Sequence, residues 1–266
     1  MGKKITVVIP TKNSGKTLQL CLDSIRDQTY KNYELIVVDG GSTDGTIELA
    51  KKYTKKVFVS RHGRSEARNF GFSKADGEIF ISIDSDMILE PDVFGEAAGN
   101  MGEHGGLIIP EIGYGKDFVS KCKDLEKRCY IGDEIIESSR VFSREAFKAV
   151  GGYDTNLVFG EDWDIHSRIK EKFSIGRIDS RMLHNTANLD FIEDLRKAYL
   201  YGNTLPRYFA KGHSQAKEWK KPSKFFFIRH FSKLKREPFH TAGLVVIKGM
   251  EYTAGLAGFV SAKAKK

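Results

Sequence analysis

Four short apolar runs, each leading into a stretch with helical spacing, dominate the first hundred residues. The runs are residues 5–9 (ITVVI), 34–38 (ELIVV), 57–59 (VFV) and 79–83 (IFISI). They are continuous rather than alternating with polar residues, which is the pattern of strands buried on both faces. Between them, residues 15–27 place Leu18, Cys21, Leu22 and Ile25 one helical turn apart. The GGSTDG stretch reads as a turn in which Ser42 or Thr43 caps the segment TIELAKKY, and residues 65–75 form another helix. Pro91 suits the first turn of a helix after the fourth strand. This βαβαβαβ order predicts an α/β fold, a mostly parallel sheet flanked by helices.

Beyond residue 100 the periodicity is weaker. A helix is expected within IGYGKDFVSKCKDLEKRCYIG, and a strand and short helix in SSRVFSREAF. Further helices are expected from Glu161 in GEDWDIHSRIKEK and over residues 190–205. We divide the chain into a domain over 1–210, with halves near 1–100 and 101–210, and a basic, partly apolar helical appendage over 211–266.

Charge separates the two parts. From Lys217 onward there are 12 Lys and Arg against 3 acids, a balance of +9, whereas the remainder is −1. An electrically ordinary body argues against nucleic acid as the partner of the main domain. The three cysteines, Cys21, Cys122 and Cys129, include no metal-like C-x-x-C pair and are expected to be reduced, as in a cytosolic protein. The opening MGKKITVVIPTKN has too short an apolar run for a signal-peptide core.

In an open parallel sheet, ligands bind beyond the carboxyl ends of the strands. Three polar clusters fall at such ends: Pro10-Thr11-Lys12-Asn13, Asp39-Gly40-Gly41-Ser42 and Asp84-Ser85-Asp86. Asp39 offers a carboxylate to a base or ribose, and the glycines allow close backbone approach. Asp84 and Asp86, if extended, face one side. Two such carboxylates call for a positive partner, and a hard divalent cation, Mg²⁺ or Mn²⁺, would supply it while leaving positions for phosphate oxygens.

The segments IPTKN, YKNYELIVVDGGSTDGT, ARNFGFSKADGEIFISIDSD and GGYDTNLVFGEDWDIHSRI, in this order, resemble the family 2 glycosyltransferases of GT-A fold. The resemblance covers about residues 4–185 and implies transfer of a sugar from a nucleotide-diphosphate donor with inversion at the anomeric carbon. It implies a nucleotide-sugar pocket of Pro10, Thr11, Asn13, Asp39, Gly41, Arg68, Asp84 and Ser85, with Arg68 near the donor phosphates. Asn69 would help shape that region. Asp84 and Asp86 resemble the metal motif, Asp86 being the direct ligand, with His184 a further metal contact. Asp162, beside Glu161, resembles the general base, and Trp163 could stack on an acceptor sugar. Plainer roles stay open: Asp39 as a turn cap, Arg68 paired with Glu66 or Asp76, Asp162 as a helix N-terminal acid, Trp163 as core, and His184 as structural. His62, His104 and the tail histidines read as surface residues.

This chain departs from many relatives in having Gly40 after Asp39. It also lacks the Q-x-x-R-W of processive synthases, since Glu218 stands in Gln215-Ala216-Lys217-Glu218-Trp219. The expected reaction is therefore single transfer to a hydroxyl, with UDP-sugar favoured because Asp39 can accept the uracil N3–H. The acceptor would be a glycan or lipid-linked molecule. A polyprenyl-phosphate glycosyltransferase and a non-catalytic nucleotide-sugar or membrane-binding protein are the alternatives. Residues 219–239 interleave aromatics with cations, and residues 241–260 are apolar but interrupted by Lys248 and Glu251. From this we expect contact of 217–266 with an anionic membrane surface, on the inner face of the cell membrane, rather than a span.

Overall fold

The computed structural model describes residues 2–61, 63–187, 191–212 and 226–264. His62, the Gln215–Trp219 stretch and the aromatic-basic run up to residue 225 lie outside the described residues. The chain divides into two compact units: Met1–Glu111 with Ser138–Asn156 and Glu161–Asn185, and Ile112–Glu137 with Leu157–Gly160 and Thr186–Lys266. The second unit groups 112–137 and 157–160 with the described residues from 186 onward.

The first unit carries the strands that the apolar runs predict: β1 (Ile5–Thr11), β2 (Tyr33–Asp39), β3 (Val57–Val59) and β4 (Ile79–Ser82). β5 (Met87–Leu89), β6 (Gly106–Ile108), β8 (Val141–Ser143), β9 (Ile175–Arg177) and β10 (Met182–Asn185) follow, and β7 (Glu111–Tyr114) starts at the last residue before the second unit. Among the described residues, seven strands form one sheet in the order β3-β2-β1-β4-β8-β6-β9. The four expected strands run parallel, while β8 pairs antiparallel with both β4 and β6. Strand order reverses between β1 and β4, so a crevice is expected beyond their carboxyl ends.

Every residue of β1 is buried. Ile5, Val7 and Ile9 join one core with Leu18, Cys21 and Leu22 of α1 (Leu18–Arg26) and Phe94 of α4 (Val93–Asn100). Val8 joins the opposite core with Ile36, Val38, Phe72, Phe80 and Phe147. This two-sided burial is the physical reason the strands read as unbroken apolar runs. α3 (Arg64–Ser73) lies unusually close to the sheet, because a Cβ on Gly71 would come within 2.5 Å of Val8 Cγ1. Arg68, one turn earlier on the same helix, is wholly buried.

Two details depart from expectation. α2 (Thr46–Ala50) begins after Gly45, and Asp44, not Ser42 or Thr43, accepts the Thr46 N–H at 3.2 Å. Asp84-Ser85-Asp86 is not extended: the Met87 N–H donates to the Asp84 carbonyl at 3.1 Å, closing a turn between β4 and β5. The two aspartates therefore do not share a face as a strand would place them.

The first unit also holds α6 (Arg144–Ala149) and α7 (Glu161–Lys170), the latter starting where the sequence placed it. The second unit is helical: α5 (Phe118–Tyr130), α8 (Phe191–Ala210), α9 (Phe226–Arg229), α10 (Phe231–Leu234) and α11 (Pro238–Ala264). Its core gathers Cys122, Leu125 and Cys129 from α5 with Phe226, Leu234, Leu244 and Ile247. α8 and α11 meet at Gly202, where the Gly255 backbone leaves no room for a Cβ. All three cysteines are buried and unpaired in disulfides, as expected.

Candidate active site

The β1–β2 register sets Thr11 directly beside Asp39 at the end of the sheet. Asp39 is fully buried, and its carboxylate is completely engaged. Oδ1 accepts the N–H groups of Gly41 and Ser42 at 2.8 and 2.7 Å, and Oδ2 accepts the hydroxyls of Thr11 and Ser42 at 2.8 and 2.6 Å. With about four lone-pair sites on a carboxylate, a base could reach Asp39 only by displacing one of these hydroxyls. Asn13 closes the same loop pair: its N–H donates to Ser42 Oγ at 2.7 Å and its Oδ1 accepts from Thr43 N–H at 3.0 Å. Pro10 sits opposite Val38 in the register. Ser85 Oγ donates to Ser14 Oγ at 2.8 Å, tying the third cluster to the first. The three strand-end clusters thus meet, as topology required.

Arg68 is wholly buried and acts as a hub rather than as an open phosphate contact. Its Nη2 donates to Asp84 Oδ1 at 2.6 Å. Its Nη1 donates to Glu161 Oε1 at 3.2 Å and Asp162 Oδ1 at 3.3 Å, and the guanidinium stacks 5.0 Å above the Tyr153 ring. Neither Glu66 nor Asp76 pairs with it: Glu66 caps Gly63 N–H, and Asp76 meets Lys4 and Lys56. Asn69, on the next position of α3, clasps the Tyr153 backbone through both its amide atoms, at 2.8 and 2.9 Å.

Two arginines without a sequence signal complete the network. Arg140, just before β8, reaches Asp162 Oδ2 at 3.0 Å and Asp84 Oδ2 at 3.4 Å through the same Nη1. Arg64 reaches Glu161 Oε1 at 3.2 Å. Three carboxylates and three guanidiniums therefore alternate around one point. Burial alone would push the Asp84 carboxyl up, but Arg68 and Arg140 outweigh it and hold it far below the ordinary carboxylate range. Glu161 is shifted the other way, upward, by burial and the adjacent Asp162 charge, against the pull of Arg64 and Arg68. The positive partner that Asp84 required is thus a pair of guanidiniums. Trp163 follows Asp162 in the first turn of α7 and is half-buried.

Asp86 points elsewhere. β10 pairs His184 with Met87, and this register brings His184 Nε2 to 3.3 Å from Asp86 Oδ2. The other ring nitrogen, Nδ1, lies 2.8 Å from Glu111 Oε1. When Nδ1–H donates to Glu111, Nε2 presents its lone pair toward a carboxylate oxygen, and the gap suits a cation between them. Among the described residues no group of three or more His, Cys, Asp and Glu forms a metal cluster. One carboxylate and one imidazole nitrogen plus diphosphate oxygens is nevertheless a donor set that fits Mn²⁺, and fits Mg²⁺ less well because Mg²⁺ prefers oxygen ligands throughout. Glu111 had no motif to announce it. His104 Nδ1 lies 2.9 Å from Ser174 Oγ and takes no part in the site.

Comparison with known proteins bears on this geometry. The family model described as Glycosyl transferase family 2 matches residues 6–152. A PGL/p-HBAD biosynthesis glycosyltransferase of Mycobacterium tuberculosis is 30% identical over 197 residues, 67% of this chain and 73% of that protein. Glycosyltransferase GlyA of Streptococcus pneumoniae is 40% identical over 95 residues, 34% of this chain, but the match spans only 14% of GlyA. Among solved structures, the mannosyltransferase PcManGT of Pyrobaculum calidifontis, in complex with GDP-Man and Mn²⁺, superposes with a TM-score of 0.60 at 20% identity, over 100% of this chain and 79% of its own. That likeness establishes a shared fold.

Proposed function

This chain belongs to glycosyl transferase family 2 and is a transferase, and from that premise we propose inverting transfer of a sugar from a nucleoside-diphosphate donor to a hydroxyl acceptor. The reading rests on one observation above all: Arg140 joins Asp162 to Asp84, so a part-exposed carboxylate is fixed relative to the turn that carries Asp86. In a direct displacement the acceptor oxygen bonds to the anomeric carbon as the bond from that carbon to the diphosphate oxygen breaks. Asp162 takes the acceptor proton, a contribution on the order of 10²–10⁴ in rate. Arg140 and Arg68 hold its two oxygens in place while it does so. Asp86 and His184 are the residues that would hold a divalent cation, which when bound offsets the charge growing on the departing diphosphate.

Glu161, buried between Arg64 and Arg68, serves to hold those arginines rather than to exchange protons with substrate. Trp163 supplies an apolar face beside Asp162 for an acceptor sugar. Thr11, Asn13, Gly41 and Ser85 form the rim of the donor pocket. The preference for uridine rested on Asp39, whose lone pairs are all taken, and the PcManGT complex holds a guanosine donor. Donor choice is therefore tested directly, with UDP- and GDP-sugars compared by thermal shift in the presence of Mn²⁺. The apolar exposed helix of the second unit favours a lipid-linked or membrane-proximal acceptor and a peripheral membrane location. Asp162→Asn should bind donor as the parent does while losing transfer by about 10²–10⁴; unchanged turnover would refute the assignment.

A further inference from the structure

α11 contains 27 residues, about 40 Å at 1.5 Å per residue. The sequence placed Lys248 and Glu251 as interruptions of an apolar stretch. In the structure both turn inward. Lys248 Nζ lies 2.6 Å from Glu126 Oε1 on α5 and 3.2 Å from Glu251, and Glu251 also pairs with Lys123. The outward arc is left with Phe239, Val245, Val246, Met250, Tyr252, Leu256 and Val260, among smaller residues. None of the exposed residues from 239 to 260 carries a charge. Phe239 is 83% and Leu256 63% exposed, so the face is open along its whole length. An uncharged stripe of about 33 Å is much longer than scattered surface hydrophobics require.

We propose that this face of α11 lies flat on an anionic lipid bilayer, its apolar side chains in the acyl boundary and its flanking cations among the headgroups; the proposal rests on the reading of a membrane-proximal transferase. Charge identifies the occupant. Among the described residues from 226 to 264, every exposed charged side chain is basic: Lys233, Lys235, Arg236 and Lys263. They stand at both ends of the stripe, where an anionic headgroup layer attracts them. A second copy of the chain would set these cations against their own kind. Depth follows from the opposite side of the helix. There the ion pairs of Lys248, Glu251, Lys123 and Glu126 pack against α5, and a spanning helix would carry them into hydrocarbon. One apolar face with charged protein behind it fits the surface of a bilayer, not its interior.

Flotation of the full chain with phosphatidylcholine vesicles, with and without phosphatidylglycerol, tests this. Binding should be stronger with the anionic lipid and weaken with salt. Met250→Glu with Leu256→Glu should lower vesicle partitioning about tenfold or more without changing Tm, since both side chains are exposed. Lys235→Glu with Arg236→Glu should lower binding to anionic vesicles only. Nitroxide labels at Val246→Cys and Val260→Cys should report the same shallow depth. Parental binding by the Met250/Leu256 variant, labels at graded depths, or a variant that dissociates a dimer while still floating would each overturn the proposal. Donor binding is read on the same variants by thermal shift. Loss of flotation alone in the parent would refute the lipid surface and leave the transferase reading standing.

Discussion

Arg68 and Asp84 stand 16 positions apart in the chain and meet at 2.6 Å, with the guanidinium wholly buried. The contact exists because Gly71 lets α3 press onto β1, and the turn after β4 folds Asp84 back toward it. Of the two aspartates that read as a metal-binding pair, it ties Asp84 into the arginine network and leaves Asp86 outside it.

Replacing Arg68 should therefore be costly for the fold as well as for turnover. Arg68→Met leaves Asp84, Glu161 and Asp162 crowded with one guanidinium fewer, and breaking a buried pair from one side costs about 3–5 kcal/mol. Urea unfolding should show that loss. Arg68→Lys should retain part of the stability but not the fork that serves three carboxylates. A stable Arg68→Met variant that fails only in donor binding would return Arg68 to the phosphate-contact role.

The metal assignment is separable from the network. Asp86→Ala and His184→Ala should each weaken Mn²⁺ binding in the absence of donor, read by electron paramagnetic resonance, with little change in Tm. Glu111→Gln should weaken it by roughly 10–100-fold, because the carboxylate orients the imidazole. Chelation should abolish transfer and leave the fold intact. Equal Mn²⁺ affinity in all three variants would place the cation elsewhere.

Acid should destabilise the first unit through Glu34. Burial would raise this carboxyl, but Lys56 at 2.6 Å, the Thr6 hydroxyl and the Asp76 N–H bring it down to about 2. A carboxyl lowered on folding stabilises above its unfolded value and loses that contribution as pH falls through the folded one. The window here runs from about 4.5 to about 2. Glu34→Gln should flatten the stability curve over that range by on the order of 1–2 kcal/mol, measured by urea midpoints at stepped pH.

The first hundred residues were legible because parallel strands covered on both faces leave an unbroken apolar signature. Their polar ends then had to converge. Arg140 and Glu111 were not legible: each acts on a partner 56 or 73 positions away, across antiparallel or short strands that carry little pattern. Asp84 and Asp86 were visible as a pair but misassigned in geometry, since i, i+2 spacing fixes a shared face only while the backbone stays extended. The inward turn of Lys248 and Glu251 did have a signal. Leu244, Ile247, Lys248 and Glu251 follow the i, i+3, i+4, i+7 spacing of one helix face, and the charges simply occupy part of a buried stripe.

That buried charge cluster yields a test of the second unit by itself. Burial would raise Glu126, yet Lys248 and Lys123 hold its carboxyl far below the usual range. Lys248→Met removes one of the two cations and leaves Glu126 and Glu251 facing Lys123 alone. A loss of about 3 kcal/mol is expected, within the range for half of a buried pair. Adding Glu126→Gln in the same chain removes the stranded charge, so the double variant should recover much of the loss. The coupling of a double-mutant cycle, measured by urea unfolding, should be at least about 1 kcal/mol. Additive losses would mean the two side chains are solvated independently, and Lys248 would then be free to face outward and interrupt the apolar stripe of α11.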